Sequence, residues 1–326
     1  MSLSIVFMGT PDFSVPCLRA LAESQHTVTA VFTQPDKPKG RGYKMIPTPV
    51  KQAAQEYDIP VYQPQSLRKG EDAQQAMQVL EQLHPDVIVV VAYGQILPKC
   101  VLDLPRYACI NVHASLLPAY RGAAPIHWCI LNGESKTGVT TMLMAEGLDT
   151  GDMLLKAETA IDPDETTGQL HDRLSEMGAN LLLETLQELE AGTLHPQPQD
   201  DAASCYATRI TKEQSALDFS KSAAQLHNVI RGITGYTMLD GKRLKVYASK
   251  VIKDGAWQEA APGTIVDPKA LVVACGADTY LQLLEVQPEG KKRMQAADFL
   301  RGKQLAAGTV LGNEILHILL LNEKGT

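Results

Sequence analysis

Apolar residues in the first half of the chain fall in short unbroken runs, at 5–8, 27–32 and 86–92 with a shorter one at 60–62. Runs without polar alternation mark strands buried on both faces. Between them the apolar positions recur at helical spacing, over 15–24, 49–57 and 70–83. Strand and helix therefore alternate, which predicts an α/β domain built on a doubly wound, mostly parallel sheet. In such sheets the ligand crevice lies beyond the strand C-termini, where Gly9, Gly94 and the segment around His113 fall. Thr10 and Pro11 follow the first run and are expected to cap and open the first helix. Further on, the pattern predicts a helix over 126–131, a β-branched strand over 138–144 and a long amphipathic helix over 166–190.

The periodicity stops at residue 191. Residues 191–203 carry two prolines and two acids with no apolar period, so 191–206 reads as a linker between residues 1–190 and 207–326. After it come a helix over 222–231 and short strands around 236–238, 243–251, 263–266, 271–274 and 280–286, with Asp240-Gly241 as a hairpin turn. Closely spaced strands with one helix predict a small β-barrel of the OB-like kind.

Charge sharpens this division. The net charge of −7 disfavours a polyanionic partner, yet residues 1–206 hold 14 basic against 25 acidic side chains and residues 207–326 hold 16 against 12. Any nucleic-acid contact is therefore expected to be local, on the basic C-terminal part. No apolar run approaches the roughly 20 residues of a membrane span. The start lacks a basic leader, and the six cysteines form no Cys-x-x-Cys pair, so a reducing cytoplasm is the expected setting and no metal site is expected.

The chemistry gathers in two stretches. Between Cys109 and Gly122, Asn111 and His113 lie two residues apart and share one face of an extended segment, where both can reach one reacting carbonyl. The turn Gly147-Leu148-Asp149-Thr150-Gly151 offers a carboxylate. Acyl transfer to an amine passes through a tetrahedral intermediate whose oxygen gains charge. An amide from Asn111 can stabilise that oxygen, a contribution of about 3 to 4 kcal/mol for a preorganised donor. His113 can move the proton and Asp149 can support the charged imidazole.

Asn111-x-His113-x-Ser115-Leu116-Leu117-Pro118 with Gly147–Gly151 resembles the signature of the 10-formyltetrahydrofolate-dependent formyltransferases. Gly9-Thr10-Pro11-Asp12-Phe13, Gln34-Pro35-Asp36-Lys37-Pro38, Arg41-Gly42 and Arg121-Gly122-Ala123-Ala124-Pro125-Ile126 are similar to the bacterial branch of that family that acts on aminoacyl-tRNA. The resemblance implies a Rossmann-like formyltransferase domain over 1–190 and a tRNA-binding barrel over 207–326. It also implies formyl transfer from 10-formyltetrahydrofolate, the donor, to the α-amino group of methionyl initiator tRNA. Asn111, His113 and Asp149 match the family's catalytic set, and Ser115, Leu116, Leu117 and Pro118 match its folate-contacting segment, with 90–97 as a wall for the pterin. The loop 33–51, with Lys37, Lys39, Arg41, Lys44 and Lys51, matches the loop that enters the tRNA acceptor end, and Arg41 aligns with its central arginine. Lys242, Arg243, Lys245, Lys250 and Lys253, with Lys291-Lys292-Arg293, form the basic patches of the C-terminal part. Family precedent implies a monomer.

A sugar-nucleotide N-formyltransferase sharing the folate donor is the alternative, and it would not need the basic loop. An oxidoreductase would need the G-x-G-x-x-G cradle that residues 9–13 lack. A non-catalytic RNA-binding protein would leave the catalytic constellation without purpose. The sequence departs from the family pattern at Gly232-Ile233-Thr234-Gly235, where a longer Asn-Pro-Trp-Pro stretch is usual, and at Ala145, where an acid is common.

Overall fold

The computed structural model describes residues 2–39, 44–253, 257 and 260–312. By packing the chain divides into two units: Met1–Ile126, Lys136–Ala160 and Gly168–Thr208 form the first, while His127–Ser135, Ile161–Thr167 and Arg209–Thr326 form the second. No described helix is long and apolar enough to cross a membrane.

In chain order the elements begin with β1 (Ser4–Gly9), α1 (Val15–Ala22), β2 (Thr27–Phe32) and a hairpin of β3 (Lys37–Lys39) and β4 (Lys44–Ile46). There follow α2 (Pro49–Glu56), β5 (Val61–Tyr62), α3 (Gly70–Leu83), β6 (Val87–Val91), α4 (Lys99–Leu102) and β7 (Ala108–His113). Next come β8 (Arg121–Gly122), α5 (Pro125–Leu131), β9 (Lys136–Leu143), β10 (Met153–Ala160), α6 (Thr167–Ala191) and β11 (Tyr206–Ala207). Seven strands form one sheet in the order β10-β9-β7-β6-β1-β2-β5. Pairing is parallel from β7 to β5 and antiparallel where β9 and β10 extend the edge. The β6 run Val-Ile-Val-Val-Val is buried on both faces, as its unbroken hydrophobicity requires. Because β1, β6 and β7 are parallel neighbours, Gly9, Val91 and His113 end at one edge, where the crevice is expected.

Three features differ from the sequence reading. Thr10 does not cap α1, because a 3-10 turn at Asp12–Ser14 intervenes. Its hydroxyl donates instead to the Tyr93 carbonyl at 2.8 Å, tying the ends of β1 and β6 together. The strand β10 was not expected, since its Lys-Ala-Glu-Thr-Ala half alternates weakly and carries no bulky apolar residue. The stretch 191–206 is more than a spacer. Met153 and Gln197 exchange both backbone hydrogen bonds at 2.8 Å, and β11 pairs with β8, so 197–207 is a strap built into the first unit.

The second unit contains α7 (Ala223–Ile233), β12 (Gly235–Leu239), β13 (Lys242–Ile252), β14 (Ile265–Asp267), β15 (Val272–Cys275), β16 (Thr279–Pro288), β17 (Met294–Gln295) and α8 (Ala296–Gly302). Its antiparallel sheet runs β12-β13-β16-β15-β14 with β17 on β16, a barrel-like arrangement bent by bulges in β13. Leu244, Val246, Leu281, Leu283, Leu226 and Phe299 meet in its core. A capping box between Ser222 and Gln225 starts α7. Asp240 and Gly241, at φ 49° and 72°, make the β12–β13 hairpin turn that their sequence signals. The shortened connection still delivers β12. Thr234 turns the chain at φ 65°, and Gly235 lies so close to Leu217 that a Cβ there would come within 2.6 Å of it. In the same unit the Arg231 guanidinium donates to the Glu165 carbonyl at 2.9 Å, holding the 161–167 segment on α7.

Candidate active site

Asn111 and His113 point to the same side of β7 and are 8% and 7% exposed. The Asn111 carboxamide makes no hydrogen bond to a described residue, so a buried amide donor is left unspent in the crevice. His113 is fixed from two directions. Its Nε2 faces the Tyr120 carbonyl at 2.9 Å, and since a carbonyl only accepts, Nε2 carries the proton. Nδ1 is turned toward Asp149, whose Oδ2 lies 3.7 Å away. Asp149 sits on the β9–β10 connection at φ 53°, and its Oδ2 accepts the Gly122 N–H at 2.8 Å. The three residues predicted as a catalytic set are thus brought together, with Tyr120 and Gly122 as the backbone that aims two of them.

The Ser115–Pro118 segment leaves β7 as a turn whose polar groups are largely committed internally. The Ser115 hydroxyl donates to the Ala119 carbonyl at 2.7 Å, and Thr140 Oγ1 donates to the Ser115 carbonyl at 2.7 Å while accepting the Leu117 N–H. Lys156 donates to the Leu117 carbonyl at 2.6 Å, and burial pushes its ammonium below the ordinary lysine range. The Leu117 side chain is buried against Met142 and Met153, so it anchors the segment, while Leu116 and Pro118 stay half-exposed. In the 90–97 stretch, Val90, Val91, Tyr93 and Leu97 are core residues and Ile96 is exposed.

Sequence reasoning missed the strap. Gln199 donates to the Asp149 and Gly151 carbonyls at 2.8 and 2.7 Å, and accepts from Arg121 Nε at 2.9 Å. Arg121, 2% exposed, pairs with Asp201 at 2.8 Å. Burial opposes its charge, but the bonds to Asp201 and Tyr206 outweigh that and hold it firmly protonated. Arg121 stood within a quoted motif; Gln199 had no sequence signal at all.

Of the basic loop, Arg41 lies outside the described residues. Lys51 is already paired: it donates to Asp36 at 2.7 Å and to Gln63 at 2.8 Å, and the bonds that Asp36 accepts from Lys51 and from the Gln63 amide hold its carboxyl below the usual range. Lys37 is exposed, and Met45 and Ile46 stand out as exposed apolar residues on β4. In the second unit, Arg243 stacks on Tyr236 at 4.3 Å and Arg293 on Tyr247 at 4.2 Å, but Arg293 is also paired with Glu285 at 2.6 Å. Register places Lys245 between Tyr236 and Gln287 on that outer face. A cleft of about 320 Å³ adjoins it, with His227, Arg231, Tyr247 and Lys250 among its walls.

This sheet, with Asn111 and His113 at the end of β7 and Asp149 on the β9–β10 connection, is the arrangement of a formyl transferase. The family profile for formyl transferase matches residues 3–186 and that for the formyl transferase C-terminal domain matches 209–304, and the chain belongs to this family. Among particular proteins it is similar to the methionyl-tRNA formyltransferase of Geobacter metallireducens, 51% identical over 95% of this chain and 99% of that one. It is 50% identical to the methionyl-tRNA formyltransferase of Bacillus subtilis over 94% of this chain and 97% of that one. Of solved structures, the sugar 3N-formyl transferase WlaRD, determined in the presence of dTDP and 5-N-formyl-THF, covers 90% of this chain and 100% of its own at TM-score 0.63 and 18% identity. HypX from Aquifex aeolicus in complex with tetrahydrofolic acid gives TM-score 0.57 at 16% identity, over 92% of this chain and 47% of that one. At such identities the structural likeness concerns the fold.

Proposed function

We propose that this chain transfers the formyl group of 10-formyltetrahydrofolate to the α-amino group of methionyl initiator tRNA. The observation that carries the reading is the unspent amide of Asn111 two residues before an imidazole whose Nε2 is held by a backbone carbonyl and whose Nδ1 faces a carboxylate. The amine attacks the formyl carbon, a C–N bond forms, and the carbonyl oxygen becomes an oxyanion that the Asn111 N–H receives. His113 Nδ1 takes the proton from the attacking nitrogen, and Asp149 offsets the imidazolium charge. The same proton then goes to N10 of the folate as the C–N10 bond breaks, leaving tetrahydrofolate and a formylated amine.

Ser115, Leu116 and Pro118 border the donor, with Leu117 holding that segment in place. Similarity near 50% over almost the full length of the tRNA-specific relatives supports the acceptor. The stacked Arg243 and the neighbouring Lys245 suit an RNA backbone, and Arg41 is assigned to the acceptor end on the resemblance. In this reading the first unit binds folate and performs the chemistry while the second holds the tRNA. The test is formyl transfer from 10-formyltetrahydrofolate to methionyl-tRNA set beside transfer to an amino-sugar nucleotide. Turnover of the tRNA alone is expected; turnover of the sugar nucleotide alone would refute the proposal.

A further inference from the structure

We propose that Gln199 is a positioning residue for Asp149, acting through it on formyl transfer; the inference rests on the role given to Asp149 above. Three of the four hydrogen-bonding positions of the Gln199 carboxamide are used. Both N–H bonds go to carbonyls of the Asp149 turn, at residues 149 and 151, and the oxygen accepts from Arg121 Nε. A flipped amide would set an oxygen against two carbonyls and an NH2 against a guanidinium, so only one orientation is tolerated.

The turn needs such a hold. Asp149 lies in the left-handed region at φ 53°, which costs a non-glycine residue roughly 1 to 2 kcal/mol. Gly151 is packed so tightly that a Cβ there would meet the Leu143 carbonyl at 1.8 Å. The grip closes into a ring. Asp149 is held at its carboxylate by the Gly122 N–H and at its carbonyl by Gln199, and Gln199 is held by Arg121, the residue beside Gly122. Arg121 is fixed in turn by the 2.8 Å pair with Asp201 and by the Cys205 carbonyl, which accepts its backbone N–H at 2.9 Å. Strap residues 199–205 therefore determine where the carboxylate stands against His113. Misplacement by about 1 Å at a reacting centre can cost on the order of 100-fold in rate.

Gln199 is half-exposed on an exposed strap, so its substitution leaves the core intact. The experiment measures kcat, both KM values and the thermal midpoint for full-length Gln199→Ala and Gln199→Glu, alone and combined with Asp149→Asn. Expected is a fall in kcat of about 10- to 100-fold with both KM values within about twofold and a midpoint lowered by no more than a few degrees. Glu is expected to be no better than Ala, because it keeps the Arg121 contact yet turns acceptors toward two carbonyls. In the Asp149→Asn background neither substitution should lower the rate further. Wild-type kcat in either single variant, or losses that multiply with Asp149→Asn, would overturn the proposal while leaving the function standing. A wild-type enzyme inactive on methionyl-tRNA would overturn both.

Discussion

Replacing Asn111 by alanine should separate catalysis from folding. Asn111 is 8% exposed and its carboxamide bonds no described residue, so its removal breaks no intramolecular hydrogen bond and takes away a polar group that only partly reaches solvent. Those effects offset the lost packing of a small side chain, and the net change in stability is expected within about 1 kcal/mol. For a protein of this size that corresponds to a few degrees at most in the thermal midpoint. The barrier responds differently. A preorganised donor to an oxyanion contributes about 2.7 to 4 kcal/mol, so kcat should fall by about 100- to 1000-fold. Asn111→Asp should be slower still, because it places a carboxylate where negative charge develops. Single-turnover formyl transfer beside thermal unfolding reads both quantities. A kcat within threefold of wild type, or a loss matched by unfolding, would refute the oxyanion assignment.

Gly151→Ala must displace the Asp149 turn, since the new Cβ would sit 1.8 Å from the Leu143 carbonyl; a loss of more than 10-fold in kcat is expected, whereas Gly302→Ala, with open space around it, should be neutral. Burial lowers the His227 imidazole below its ordinary 6.5 despite the Pro163 carbonyl and Asp164, with Arg231 adding to the lowering. The unfolded chain therefore binds this proton first, so the stability His227 contributes is complete above about pH 6.5 and drains by at most about 1.4 kcal/mol per pH unit as pH falls toward the folded value. Denaturant unfolding between pH 7.5 and 5 should show that slope in wild type and a shallower one in His227→Gln; equal slopes would refute it. Lys245→Ala should lower the slope of log affinity for tRNA against log salt by about 0.9, and Arg293→Ala by less, because Glu285 already neutralises Arg293. Filter binding at several salt concentrations distinguishes them.

Most of the sheet was legible because strands such as β6 are buried on both faces and read as unbroken apolar runs; 27–32 coincides with β2, the helical period over 70–83 with α3, and the ends of the parallel strands gave the crevice. The shared face of Asn111 and His113 was legible because side-chain alternation in a strand needs no tertiary knowledge, whereas Asp149 was visible only as a carboxylate on a glycine-flanked turn and its place beside them rested on the family resemblance. What escaped notice lacks apolar period. The outer half of β10 alternates with small and polar residues. The strap is held through backbone groups and one carboxamide, and hydrogen bonds of that kind leave no mark on a hydropathy pattern. Lys51 shows the complementary limit: its charge is visible in the sequence, but its partner Asp36 becomes one only in three dimensions.

The strap also determines where the chain can be cut and rejoined. A break at residue 190, where the helical period ends, would strip away Gln199, Asp201 and β11 and leave Arg121 as a buried cation without its partner. Exchanging C-terminal segments between relatives should therefore fail when the junction precedes Gln197, whereas a junction after Thr208 keeps the strap and needs only 127–135 and 161–167 to match the incoming segment. Insertions and deletions should be tolerated around 192–195 and selected against across 197–207.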